Sequence, residues 1–431
     1  MAELARRLGF FDVFCLGVNA IIGSGIFLFP GRLAGTAGPA SVFAFLICGV
    51  LLITVALSYA EMSGMCRRNG GAYLYASEAF GPKIGYLVGW IALLTSIFSC
   101  ATVASAIAKY LVLFNPIFAE AWVAKGLAVS LIIIFATINY LGVRLGSFTV
   151  NLFTIAKTGP LLLFVILGLF NLKGGNFQGV MDFDMGTMGA AIFLSLWPLQ
   201  GFETTPVIAG ESKNPQRDIP LATIASLLCV TVFYTLIQVA AVGSFAGLAT
   251  SEKPLADAAA AFMGPIGATI IALGAFISMT GYLSGNTLGC PRYLEPLAED
   301  GFLPVGLSKV HPRFQTPYRS ILLTTSVVIT MILFLDFKRL VDISNMAVIS
   351  QYFSTCVAVI WLRYRQPERE RGFRIPGGII IPLLGCALSL WLLKNVKLDE
   401  FLFTLYFIAG GIGLAVLYHY LGKKPQAAAA P

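Results

Sequence analysis

Polar and apolar positions along this chain segregate on a scale of tens of residues: long apolar runs follow one another from end to end, joined by short polar connectors. Twelve runs, at about 10–35, 39–63, 84–113, 122–141, 147–172, 187–209, 219–245, 264–297, 318–336, 340–362, 377–394 and 400–421, are long enough to cross a bilayer as helices, which takes roughly 20 residues each. The pattern predicts an all-α polytopic membrane protein with 12 transmembrane helices. Two pairs of runs nearly touch, at Pro39 and at Lys338 to Arg339, so the count turns on those connectors.

Two runs are interrupted. The first carries Gly23-Ser24-Gly25 in its middle, where two glycines weaken a helix and leave main-chain polar groups without partners at bilayer depth. A break there predicts bare carbonyls on the half ending near Ile22, and bare N–H groups with a positive dipole end on the half beginning near Ile26. Such a pair of ends is a receptor for a zwitterion, although the same glycines would also serve close helix packing. The sixth run holds Pro198, Gln200, Gly201, Glu203 and Pro206, a set that no continuous lipid-facing helix accommodates; a merely kinked helix is the plainer alternative. Because each break falls in the first run of a set of five, the second set starts from the opposite face of the membrane. That predicts a 5+5 inverted-repeat core with discontinuous helices 1 and 6 around a midplane site, and two peripheral helices after it. The repeats would span 10–172 and 187–362, and the peripheral pair 377–421.

Composition narrows the function. With 57% hydrophobic and 12% charged residues and a mean hydropathy of +0.83, the chain is no soluble domain, where about 25% of residues are charged. The net charge of +8 lies in connectors rather than in a stripe or tail, which argues against nucleic acid. Lys and Arg are commoner on the side of the N-terminus, as in Arg6, Arg7, Arg67, Arg68, the 363–374 group, Lys423 and Lys424. The opposite side has fewer, among them Arg32, Lys253, Lys338, Arg339, Lys394 and Lys397. This bias predicts that both termini are cytoplasmic. Arg6 and Arg7 imitate a signal peptide, yet the run continues to Phe29 without a cleavage site, so it should remain as the first span. The eight cysteines are scattered singly and read as small buried hydrophobes. His311 and His419, the two histidines, stand outside the deep spans, so neither a zinc site nor a Ser-His pair is expected, and no cofactor is implied. The alanine-rich tail after Leu421 is set aside from the fold.

Several motifs carry a resemblance. The run Asn19 to Phe27, Gly201-Phe202-Glu203, the stretch Ala209 to Pro220, Pro291-Arg292 with Glu299-Asp300-Gly301-Phe302-Leu303-Pro304, and Phe373 to Gly377 together resemble the amino acid-polyamine-organocation (APC) transporter superfamily, in order over most of the chain. The resemblance implies the leucine-transporter fold. It also implies that a substrate carboxylate is held around Gly23, Ser24 and Gly25, and the ammonium by carbonyls near Ile21, Trp197, Gln200 and the adjoining Gly201. Trp197 would cover the substrate, and Cys100 and Asn286 match positions that line the pocket in some relatives.

Two charged residues stand out. Lys157 lies about ten residues inside its span, a depth near 15 Å, beyond the reach of a lysine stem to the interface. In relatives a lysine at this place substitutes for a sodium ion; here it would do so and, if it loses its proton during the cycle, couple transport to protons, with a permanently charged strut as the alternative. Glu203 is the carboxylate deepest in a span, suited either to hold unwound backbone and gate the site, or to receive the second amine of a diamine. Glu61 is nearer a boundary, solvated or paired with a loop base.

The expected function is a secondary active transporter of small neutral L-amino acids across the cell membrane, sodium-independent, working by proton symport or exchange. An amine, polyamine or cationic amino acid exchanger using Glu203 is the alternative, and a transport-inactive sensor of the same fold is a third reading. A channel and an intramembrane enzyme fit less well. The partners implied are a small-molecule amino acid and the lipid bilayer; a homodimer is compatible with the sequence.

Overall fold

The computed structural model describes residues 4–421 apart from 113, 183, 335–336 and 395–397. Lys397, Lys423, Lys424 and the tail 422–431 lie outside the described residues, as do the side chains of Lys338, Arg339 and His419. The regular structure is helical: α1 (Phe10–Ile21), α2 (Gly25–Ala37), α3 (Ala44–Ser63), α4 (Ala72–Phe80), α5 (Pro82–Leu111), α6 (Ala121–Leu141), α7 (Val143–Phe170), α8 (Met185–Leu199), α9 (Pro215–Ser244), α10 (Pro254–Met263), α11 (Pro265–Gly289), α12 (Pro291–Glu299), α13 (Tyr318–Phe334), α14 (Phe337–Arg365), α15 (Ile380–Lys394) and α16 (Leu398–Leu421). Among the described residues there is no β-strand; Leu8 and Ser212 form one isolated bridge.

Proline and glycine set many of the boundaries. Pro82, Pro215, Pro265 and Pro291 occupy the first turn of α5, α9, α11 and α12, where the missing N–H costs nothing. Pro39 falls in the 3-10 turn Gly38–Phe43, so the near-contact of the first two apolar runs is a helix break.

Among the described residues, six helical stretches are long and apolar enough to cross a membrane: Gly25–Ser63, Pro82–Ala108, Ala121–Leu141, Val143–Phe170, Pro215–Ser244 and Pro265–Glu299. Their outer faces stay apolar where a soluble protein would turn polar. Along α7, Phe148, Leu152, Ile155, Leu162, Ile166 and Phe170 are exposed, while Val150, Lys157, Leu161 and Phe164 on the inner face are buried. This is a multi-pass membrane protein, with lipid as solvent for the exposed stripe.

The broken segments sit at the centre, with α1 packed on α7, α9 and α11, and α2 on α8. The α4 helix buries Ala72, Tyr73, Leu74, Tyr75 and Ala76 and packs on α5 and α14, after a turn at Gly70-Gly71, both at positive φ. One expectation is corrected. Cys229 is exposed, unlike the other seven cysteines, because it falls on the outer face of α9.

Candidate functional site

The Gly23-Ser24-Gly25 stretch does break the helix, α1 ending at Ile21 and α2 starting at Gly25. Three helices fasten the carbonyl end of α1. From α7, Lys157 Nζ donates to Asn19 O at 2.9 Å and Ile22 O at 2.5 Å. From α9, Tyr234 Oη donates to Ile21 O at 3.2 Å. From α11, Ser278 Oγ lies 3.1 Å from Ile22 O and 3.0 Å from Gly23 O, and Asn19 Nδ2 returns a bond to Gly281 O at 2.8 Å. Lys157 is wholly buried, and its Nζ gathers two main-chain carbonyls at the broken end of α1.

The amide end is the opposite case. Among the described residues, the N–H groups of Ser24, Gly25 and Ile26 have no hydrogen-bond partner, and no side chain caps α2. Gly23, Ser24 and Gly25 face a cavity of about 100 Å³. Open amides at a helix start, with the positive dipole end behind them, can take an anionic group.

The second break mirrors the first. The α8 helix ends at Leu199, and a 3-10 segment, Phe202–Glu211, begins past Gly201. Gly201 has φ +129°, and a Cβ there would stand 2.5 Å from the Ala20 carbonyl carbon and 2.6 Å from the Ile21 nitrogen, so the two broken segments touch backbone to backbone. The Gly201 N–H donates to Glu203 Oε2 at 2.9 Å, and Tyr352 Oη donates to the same oxygen at 2.9 Å. Glu203 thereby diverts the N–H that a continuous helix would aim at Trp197 O, and leaves that carbonyl without a main-chain donor.

Around this core the two ends differ. Toward the N-terminal face, Phe202 and Tyr352 stack at 5.3 Å and Tyr59 meets both edge-on. Beneath them Arg292 and Glu211, both fully buried, pair at 3.1 and 2.9 Å, Asn69 bridges Gly210 N–H and Glu295, and Glu61 holds Arg363, Arg371 and Ile375 N–H. Glu61 is therefore paired and buried rather than solvated. Toward the opposite face, Trp197 stacks on Phe29 at 5.3 Å and lines both the central cavity and a larger one of about 520 Å³ that reaches Arg32 and Lys253.

Of the residues singled out in the sequence, Ile21, Gly23, Ser24, Gly25, Trp197, Gln200, Gly201, Glu203 and Asn286 line the one central cavity. Lys157 stands behind α1 and not in the cavity wall. Cys100 is buried elsewhere: the helical repeat of α5 turns Thr95, Ser96, Ser99 and Thr102 to the cavity instead. Those hydroxyls, with Tyr282, Tyr293 and Gln351, were missed. Their signal was present as hydroxyls three to four apart inside an apolar run, and as the Tyr282 and Asn286 pair, four apart, interleaved with Gly281, Gly285 and Gly289.

A multi-pass helical protein with a walled cavity where two interrupted helices meet has the architecture of a membrane carrier. The chain matches the amino acid permease family model over residues 8–415 and belongs to that family, within the APC superfamily. It is 29% identical to the methylthioribose transporter of Bacillus subtilis (strain 168), covering 96% of this chain and 94% of that protein. From the same organism, the branched-chain amino acid permease BcaP is 30% identical over 98% of this chain and 95% of its own, and the serine/threonine exchanger SteT 30% over 99% and 98%. The family and these relatives are transporters, not enzymes.

Proposed function

We propose that this permease is a sodium-independent secondary carrier of small neutral L-amino acids, moving them across the cell membrane by alternating access, through proton symport or exchange. The observation that carries this reading is the pair of open amides at Ser24 and Gly25, residues that line the cavity together with the freed end of α8, with the unpaired Ile26 N–H next to them in sequence. A carboxylate on the amides and an ammonium toward the Trp197 and Gln200 carbonyls would place an amino acid across the gap between the broken helices. A cavity of about 100 Å³ suits a small side chain. Glu203, the acid in its wall, is already engaged by Gly201 N–H and Tyr352, which supports a neutral substrate and a gating role, and lends no support to a diamine reading. The Lys157 ammonium among the α1 carbonyls supports independence from sodium. Two of the relatives are named for amino acids, and one of these as an exchanger.

In this reading twelve helices cross the bilayer, 10–172 and 187–362 being the inverted repeats and 377–421 the peripheral pair, with both termini cytoplasmic by the Lys and Arg bias. The N-terminal face holds the buried ion pair and the stacked aromatics, and the Trp197 side holds the larger cavity. Uptake of labelled amino acids into liposomes containing the purified protein tests the proposal. Accumulation of a small neutral amino acid without sodium supports it; uptake of amines alone refutes it. Preloading with unlabelled substrate separates exchange from symport.

A further inference from the structure

The central cavity has a second polar wall, away from the helix breaks. Asn286 of α11 projects there, its Oδ1 accepting from Ser96 Oγ of α5 and its Nδ2 donating to Tyr282 Oη, each at 3.4 Å. Both bonds are at the long limit, where a hydrogen bond is weak. A carboxamide offers two N–H donors and two acceptor lone pairs, so among the described residues these two stretched contacts leave half of its capacity unused. The neighbouring wall is also hydroxylated, by Ser99 and Thr95, while Gly285 and Gly289 keep α11 free of bulk on either side of Asn286.

We propose that Asn286, with Ser96 and Tyr282, reads the substrate side chain and selects a hydroxyl or carboxamide over an aliphatic group of the same size. The preferred class is then the small uncharged polar amino acids, with threonine favoured over valine and asparagine over leucine. This deepens the carrier reading and rests on it. A valine side chain here would displace water from three polar groups whose bonds to one another are long, and would return no hydrogen bond to any of them. Threonine has nearly the same shape and carries the hydroxyl that Asn286 is placed to meet. Sites built to hydrogen-bond a substrate group discriminate far more strongly than sites that only measure a methylene.

The test is paired competition. Threonine, valine, asparagine and leucine are titrated against a labelled neutral amino acid in liposomes, and thermal shifts of the purified protein are measured with the same four compounds. Wild type should favour threonine over valine by at least about tenfold. Asn286→Leu should bring that ratio near one or invert it, and Ser96→Ala should lower it partway, both variants keeping a cooperative melt without ligand. If Asn286→Leu does not fold, Ser96→Ala and Tyr282→Phe must each lower the ratio. Equal wild-type affinity for threonine and valine, or a ratio unchanged in the variants, overturns the inference and leaves the carrier reading standing. The absence of a response to every amino acid overturns both.

Discussion

Gly201 and Ala20 lie in backbone contact, so close that a Cβ on Gly201 would sit 2.5 Å from the Ala20 carbonyl carbon. These residues belong to the two interrupted segments, and their contact fixes the gap in which the open amides and freed carbonyls face the cavity. Gly201 also holds φ +129°, which an L side chain rarely adopts. Gly201→Ala should therefore cost on the order of 3 kcal/mol from backbone strain and overpacking together. Denaturation of the purified variant, read beside Gly159→Ala, where a Cβ meets nothing within 4 Å, checks it. Equal melting of the two variants would show that the segments can part freely.

Lys157 joins α7 to the end of α1 through Asn19 O and Ile22 O. Lys157→Met keeps the bulk and removes the donor, leaving Ile22 O to Ser278 and taking the side-chain donor away from Asn19 O. Transport should fall at least tenfold, and any residual transport should lose its dependence on pH if this ammonium carries the coupled proton. Uptake from pH 5.5 to 8 measures both. A normal profile in the variant removes Lys157 from coupling and leaves it as a strut.

The Arg292 and Glu211 pair is wholly enclosed on the N-terminal face. Glu211→Met leaves a buried, unpaired guanidinium and Arg292→Met a buried, unpaired carboxylate, so each single variant should destabilise by about 3–5 kcal/mol. The double variant Glu211→Met with Arg292→Met should recover much of that loss, since apolar groups of similar volume often replace a buried pair at little cost. Denaturant titration of the three variants distinguishes the pair from two independent contacts, for which the losses would add.

Much of this was legible in the sequence, for physical reasons that particular residues show. The apolar runs announced a helical membrane protein, and neither the Gly23 to Gly25 stretch nor the Pro198 to Gly201 stretch suited an unbroken helix, so both breaks were visible. Lys157 was conspicuous because an ammonium in an apolar run needs acceptors. The inward turn of α4 was not legible, because it follows from a positive-φ Gly70-Gly71 turn packed against residues 206–207 and Pro296. Cys100 was misplaced for a related reason: similarity of position says nothing of helical phase, and a small rotation of α5 presents Ser96 and Ser99 instead. The partner of Glu203 was hidden too, since Tyr352 lies 149 residues away in sequence.

The central claim is that the two sets of helix ends grip both charges of an amino acid. A thermal-shift titration of the purified protein with threonine, its carboxamide and its decarboxylated amine tests this directly. Binding should require the free carboxylate and the ammonium together, so that threonine stabilises while the other two fail at a hundredfold higher concentration. Equal stabilisation by the amine or the amide would contradict the claim, since the open amides of Ser24, Gly25 and Ile26 would then have no part in recognition.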